Sequence, residues 1–413
     1  MSPKTSFPKD KINILLLENI NPSAVSTFER AGYTSVERLE HAISPEELLE
    51  RIPEVQILGI RSKTKVTPQV LEAGKKLLGI GAFCIGTDQI DLATATRKGI
   101  AAFNSPHSST RSVAELTIAS TIYLLRRLSE KAFGAERNTW LKTHRKAYEA
   151  RNKTLGIVGY GRIGSQVSVL AEALGMRVLY YDVVPKLTMG TAQPVESLEE
   201  LLAESDVVTL HVPKDPSTRH MITRKELAQM KPGSYLINYA RGNVIVADDV
   251  AEALKNDHLA GAAVDVYESE PAKKGDSFHT PLQGLPNVIL SPHIGGATEE
   301  AQANIGIDAA TKLISFLDEG STYGSVSLPE LNLPAQEGTH RLLHLHQNVP
   351  GVISEINNRL QDIAVNVTGQ YLKTNESIGY VVTDVKAGDT DRTDEAIATL
   401  NEIPHTIRTR SLY

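Results

Sequence analysis

Leu155-Gly156-Ile157-Val158-Gly159-Tyr160-Gly161-Arg162-Ile163-Gly164 lies near the middle of this chain and decides its architecture. A short apolar run ends in a glycine-rich turn, and a helical stretch to Leu174 follows. That order of strand, turn and helix is the context in which GxGxxG carries meaning. Gly159 allows the tight turn, Gly161 lets backbone approach a diphosphate, and Gly164 lets helix and strand pack closely. Tyr160, Arg162 and Ile163 complete the turn. The diphosphate would rest on the helix N-terminus, where free N–H groups and the helix dipole favour an anion. Asp182 ends the next apolar run, 18 residues after Gly164. A carboxylate there accepts hydrogen bonds from ribose hydroxyls and repels a 2′-phosphate. Val183-Val184-Pro185 brings no arginine to offset it, so NAD is expected rather than NADP. The plainer alternative is a glycine-rich turn that binds nothing, with Asp182 capping a loop. Strand, helix and acid occurring together favour the dinucleotide.

Outward from this turn, apolar runs at 155–158, 178–181, 207–210, 235–238, 262–265 and 288–290 alternate with helical stretches. Six such strands predict a doubly wound parallel sheet. An earlier alternation covers residues 11–104, with strands at 12–17, 55–60 and 77–82 and helices at 21–32 and 67–74. Asn21 and Thr67 stand at cap positions, with Pro22 and Pro68 just inside. The 114–126 stretch is a strongly apolar helix expected to cross between domains, and a helix over 302–317 would return the chain to the first. Residues 325–338 lack an apolar period and read as a linker. Beyond it the pattern is βαββαβ, the ferredoxin-like plan. The expected class is therefore α/β: a Rossmann-type nucleotide domain (109–296) inserted in a flavodoxin-like substrate domain (1–108 and 297–334), with a regulatory unit at 335–413.

At 413 residues the chain needs several cores. A net charge of -6 leaves no basic footprint for nucleic acid, and no segment is long and apolar enough for a membrane span. The polar N-terminus does not read as a signal peptide, and Cys84 alone permits no intrachain disulfide. A cytoplasmic setting is the expectation.

Three further residues suit hydride removal from a hydroxy acid. Arg241 follows the 235–238 strand and can grip a carboxylate with its planar fork. His293, in Ser291-Pro292-His293-Ile294-Gly295-Gly296, can exchange a proton near neutrality. Glu270 can fix the imidazole tautomer and favour its charged form. Taken singly, each is more simply a solvated or loop-packing residue. Together, in loops after successive strands of one nucleotide domain, they point to a dehydrogenase.

Met230-Lys231-Pro232-Gly233-Ser234-Tyr235-Leu236-Ile237-Asn238-Tyr239-Ala240-Arg241-Gly242 resembles the arginine signature of the D-isomer-specific 2-hydroxyacid dehydrogenases. Residues 205–213 and 291–296 resemble that family's other signatures, and the likeness spans residues 11–330. It implies Arg241 as substrate anchor, His293 as acid/base and Glu270 as its partner. Cofactor contacts are implied at His211, Pro213, Ala240 and Asp265. Tyr239 is bulkier than the small residue expected there, and Val246 stands where an acid or Asn is usual. Ile60-Arg61-Ser62-Lys63-Thr64 and the stretches at 81–88 and 103–115 resemble the phosphoglycerate-oxidising members. They imply a phosphate held by Arg61, Ser62 and Lys63, with Ser109 and Lys142 near the substrate. A solvated loop is the alternative for Arg61 and Lys63. Residues 340–413 resemble an ACT domain, implying L-serine as effector at His346, Asn348 and Asn366. His344 and His346 share a strand face, but no carboxylate or cysteine completes a metal site, so no metal is expected.

The resemblance implies oxidation of 3-phospho-D-glycerate to 3-phosphohydroxypyruvate by a homotetramer, feedback control by serine, and reduction of 2-oxoglutarate as a side activity. Serine would act through Gly295-Gly296 and the linker near Gly338. The alternatives are a dehydrogenase for another acid, such as 2-hydroxyglutarate, glycerate or lactate, and a non-enzymatic NAD-sensing corepressor.

Overall fold

The computed structural model describes residues 8–271, 276–333, 339–386 and 390–412. The chain divides into two compact units, one formed by residues 1–108 with 302–413 and the other by 109–301.

In the first unit, β1 (Ile14–Leu16), β2 (Val36–Arg38), β3 (Ile57–Ile60), β4 (Gly79–Ala82) and β5 (Ala101–Asn104) form a parallel sheet in the order β2-β1-β3-β4-β5. Asn21 and Thr67 cap the helices Pro22–Arg30 and Pro68–Ala73 as their positions predict, accepting from the N–H of Ser23 and Val70. β2 and β5 escape the sequence pattern. Val36-Glu37-Arg38 is a charged edge strand whose only structural cue is its pairing with β1. β5 is a four-residue run fixed by pairing with β4.

The second unit contains β6 (Thr154–Val158), β7 (Arg177–Tyr181), β8 (Gln193–Pro194), β9 (Val207–Leu210), β10 (Ser234–Asn238), β11 (Leu259–Val264) and β12 (Val288–Leu290). They lie in the order β12-β11-β10-β9-β6-β7-β8, all parallel. Every residue of β6, β9 and β10 is buried, as strands covered on both faces require. The strand order reverses between β6 and β9, and in such sheets ligands bind at the carboxyl ends beside the reversal.

The C-terminal module contributes β13 (Thr339–Gln347), β14 (Val367–Thr374), β15 (Ile378–Lys386) and β16 (Thr406–Leu412), antiparallel in the order β14-β15-β13-β16. With helices Val352–Asp362 and Thr390–Asn401 they make the expected βαββαβ plan. Leu342 packs with Val352 and Ile356 of the first helix, whereas Leu343, Leu345 and Tyr380 join the cluster of Phe28, Phe103 and Phe316. Period-two alternation thus splits β13 between two cores. Arg341 pairs with Asp384 at 2.7 Å and 3.1 Å, both side chains nearly inaccessible, and donates to the Glu319 carbonyl.

Residues 325–333 correct the linker expectation. Ser327 Oγ donates to the Ile100 carbonyl and accepts from the Ala102 N–H, Val326 N–H donates to the Ala102 carbonyl, and Leu328 and Leu333 are buried. The segment lines the β5 edge, which no apolar period could reveal because single residues hold it. Gly338 lies outside the described residues. Among the described residues no helix is long and apolar enough to cross a membrane.

Candidate active site

The glycine turn leaves β6 at the strand reversal, and each glycine answers a separate demand. Gly159 has φ 92°, and a Cβ there would sit 2.6 Å from the His211 carbonyl oxygen. At Gly164 a Cβ would sit 2.3 Å from the Gly159 oxygen, so helix and strand could not close together. Apart from its two chain neighbours, no described residue comes within 4 Å of a Cβ built on Gly161. Packing does not require that glycine, and the open space would let a ligand approach the backbone closely. Gly161 is also the N-cap of the helix Arg162–Ala173 and has no side chain to bond the first-turn N–H groups. Those donors suit a diphosphate. Tyr160 is buried, with its hydroxyl 3.1 Å from Ser168 Oγ, while Arg162 is exposed and Ile163 half-buried.

Asp182 follows β7. Its two oxygens accept from the N–H of Tyr160 at 2.8 Å and Val184 at 3.1 Å, which fixes the carboxylate against the turn. Lys186 Nζ stands 3.9 Å away, a cation that the Val183-Val184-Pro185 stretch did not announce. The i,i+4 spacing was its only sequence signal. His211 lies past β9 with its carbonyl against Gly159. Its ring meets Thr209 Oγ1 at 3.0 Å, its Nδ1 is buried without a partner among the described residues, and burial pushes its pKa down to about 3. Burial therefore favours its neutral form. Pro213 is exposed, and its carbonyl accepts from Thr218 Oγ1.

The loops after β10, β11 and β12 gather the remaining groups. Asn238 Oδ1 accepts from the Ala240 N–H and its Nδ2 donates to the Arg241 carbonyl, pinning the turn. The Arg241 guanidinium donates to the Ala240 carbonyl and makes no ion pair among the described residues, so its fork remains open to a carboxylate. A Cβ on Gly242 would fall 2.0 Å from the Tyr267 carbonyl carbon. This close backbone approach seats the Arg241 loop against the loop bearing Glu270. Tyr239 resolves its own irregularity: it is buried, with its hydroxyl 2.6 Å from Ser120 Oγ in the helix Thr110–Arg126, away from the turn's pinning bonds.

His293 Nδ1 lies 2.9 Å from Glu270 Oε2. The Glu270 bond holds the imidazole above its ordinary value, with burial opposing. Burial pushes the Glu270 carboxyl up, but the His293 bond and charge, the Tyr267 N–H and the Arg241 charge outweigh it and leave it low. With Nδ1–H donated to the carboxylate, Nε2 presents a lone pair, as a general base requires. His293 itself takes a left-handed φ of 56°. Asp265 holds that loop: buried at 1%, it accepts from Ser291 Oγ and the Ile294 N–H on Oδ1 and from the Gly295 N–H on Oδ2.

Ser109 is buried, with its Cβ 3.1 Å from where a Cβ on Gly296 would stand, and Lys142 is exposed next to Trp140, which is 84% exposed. In the first unit, Arg61 is half-buried and Ser62 and Lys63 are exposed on the loop after β3. In the C-terminal module, His346 is buried with Nδ1 on the Gln347 carbonyl, and Asn348 donates to the Asn375 carbonyl. Asn366 lines a groove of about 560 Å³ with Asn357 and Gln361. β15 pairs Gly379 with His346, while its Val385 meets Val367, next to Asn366. One chain therefore places Asn366 at the far end of the sheet from His346 and Asn348.

This geometry is that of a nicotinamide-dependent dehydrogenase, and the comparisons agree. The description "D-isomer specific 2-hydroxyacid dehydrogenase, NAD binding domain" matches residues 118–295, and "AHAS small subunit-like ACT domain" matches residues 342–408. The chain belongs to the D-isomer specific 2-hydroxyacid dehydrogenases, enzymes whose nucleotide domain binds NAD. Within that family it is similar over its whole length to D-3-phosphoglycerate dehydrogenases. That of Escherichia coli K12 is 48% identical over 99% of this chain and 100% of its own, and that of Dictyostelium discoideum 47% identical over 100% of both. Among solved structures, D-lactate dehydrogenase of Aquifex aeolicus complexed with NAD and lactic acid covers 77% of this chain and 100% of its own, at 30% identity and TM-score 0.65. D-2-hydroxyisocaproate dehydrogenase covers 76% and 100%, at 29% identity and TM-score 0.69.

Proposed function

We propose that this chain oxidises 3-phospho-D-glycerate at C2 to 3-phosphohydroxypyruvate, the reaction that its full-length relatives are named for. The observation that carries the proposal is the His293–Glu270 pair held in the same unit as the open Arg241 fork and the glycine turn. Arg241 grips the C1 carboxylate. Neutral His293 takes the C2 hydroxyl proton on Nε2 and becomes an imidazolium that Glu270 stabilises. Bound NAD would supply the acceptor for the hydride lost from C2. Gly159–Gly164 would hold its diphosphate and Asp182 its ribose, and the backbone near Ala240, His211 and Pro213 would frame it. Arg61, Ser62 and Lys63 bind the substrate phosphate, with Lys142 adding charge. We assign residues 1–108 and 297–334 to substrate binding, 109–296 to NAD and 335–413 to regulation.

L-serine is the effector of the ACT module. Because one chain separates Asn366 from His346 and Asn348, a serine site using all three draws on two subunits of a homotetramer. The setting is cytoplasmic. The decisive assay follows NADH oxidation with 3-phosphohydroxypyruvate, hydroxypyruvate and 2-oxoglutarate, each with and without L-serine. A strong preference for the phosphorylated acid, suppressed by serine, is expected. Equal rates on the first two substrates would transfer the chain to another 2-hydroxy acid.

A further inference from the structure

Glu18 stands two residues past the end of β1 with φ 63°, next to Asn19 with φ 55°. Non-glycine residues adopt this left-handed conformation rarely and at a cost, so a consecutive pair needs a cause. The Glu18 carboxylate supplies one. The residue is only 7% exposed, and Oε1 accepts from the N–H groups of Arg61 at 3.1 Å and Thr64 at 2.8 Å, while Oε2 accepts from Lys63 at 2.9 Å. On the loop's other side, buried Gln89 donates to the Arg61 carbonyl at 2.7 Å. The loop backbone is thus held from both its donor and its acceptor sides.

Clustered backbone N–H groups often make an anion-binding concavity. Here three of them are occupied by the chain's own carboxylate, so an incoming phosphate meets this loop through side chains. Arg61 and Lys63 make no ion pair among the described residues, which leaves both cations available.

We propose that Glu18 is a positioning residue for recognition of the substrate phosphate, acting through the 61–64 backbone without touching the substrate. The inference rests on the reading of Arg61 and Lys63 as phosphate anchors. Its signature is selective, because a shifted loop weakens the phosphate grip while the proton-transfer residues of the other unit are untouched.

The test uses the full-length enzyme with Glu18→Gln, Gln89→Met and Arg61→Ala, assayed on 3-phosphohydroxypyruvate and hydroxypyruvate. Glu18→Gln turns a donor toward one of the three N–H groups, and Gln89→Met removes the opposite bond at similar volume. A displacement of about 1 Å in a binding group can cost up to about a hundredfold. The expected result for Glu18→Gln is a KM for the phosphorylated acid raised about tenfold, with kcat within about twofold and a smaller loss on hydroxypyruvate. Gln89→Met should repeat the pattern more weakly, and carries the test if Glu18→Gln does not fold. Equal losses on both acids, or no change in KM while Arg61→Ala raises it, would overturn the role of Glu18. If Arg61→Ala itself leaves KM for the phosphorylated acid unmoved, the anchor reading fails and the inference goes with it.

Discussion

Asp265 and Glu18 solve one problem in two units of the molecule. Each is a buried carboxylate just past the carboxyl end of a parallel strand, β11 or β1, and each holds the loop leaving a neighbouring strand, β12 or β3. They differ in where the unusual backbone falls. At Asp265 a residue inside the held loop, His293, adopts the left-handed conformation, whereas at Glu18 the holder adopts it. The difference matches the tasks of the two loops. His293 must point one ring nitrogen at Glu270 and keep the other free, so its own backbone is bent to serve. The 61–64 loop offers two long flexible cations, so only its backbone needs fixing. In a parallel sheet the carboxyl edge brings adjacent loops within reach of one side chain, and a buried carboxylate with several N–H donors is a strong way to use that reach.

His293→Asn should separate chemistry from scaffolding most sharply. Removing a general base typically costs about 10²–10⁴-fold, so kcat should fall by that order while the Asp265 bonds survive and the unfolding midpoint barely moves. A large drop in thermal stability would show that the ring, and not only Asp265, holds the loop. Asp265→Ala should cost stability as well, removing the acceptor of Ser291 Oγ and of the Ile294 and Gly295 N–H groups, of which the Gly295 contact is buried. A buried unsatisfied group costs about 1–3 kcal/mol, so a loss of that order in denaturant unfolding is expected, with kcat down at least about tenfold as His293 drifts.

Glu270→Gln gives a smaller effect with a definite sign. Glu270 raises the His293 value, and oxidation needs the neutral ring, so the wild-type rate climbs with pH through that raised value. Removing the carboxylate lowers it, so the rising limb of the kcat profile should move toward acid. A limb that stays in place would mean that another group sets it. The mildest change adds a further backbone-binding side chain. Val246 is the N-cap of the helix Ala247–Lys255 and offers no side-chain bond, although its extended backbone suits one. Val246→Asn should stabilise the protein by about 1 kcal/mol in thermal or urea unfolding. Asn is preferred to Asp because Asp248 and Asp249 already crowd that turn with negative charge.

Much of the nucleotide-binding unit was legible because its strands are apolar runs long enough to stand out, and because each glycine of the turn answers a local steric demand. The adjacency of β11 and β12 brings about the pairing of His293 with Glu270, which was anticipated through the family resemblance. Lys186, Gln89 and the holding role of Glu18 were not. A buried glutamate and glutamine have no periodic signature, and the backbone groups they hold lie 43 to 46 and 28 residues away. The 325–333 segment misled for a related reason: lone leucines and serine hydroxyls tie it down without any repeat.

Local chemistry in the sequence determined the glycine turn, the alternation of strands and helices, and the kinds of side chain available for hydride chemistry. Those depend on backbone sterics and on a periodicity that acts over a few residues. Which loops became neighbours, where a buried carboxylate found three donors, and that Asn366 stands apart from His346 were decided only by strand order and register. These fix distances between residues that the chain itself keeps far apart.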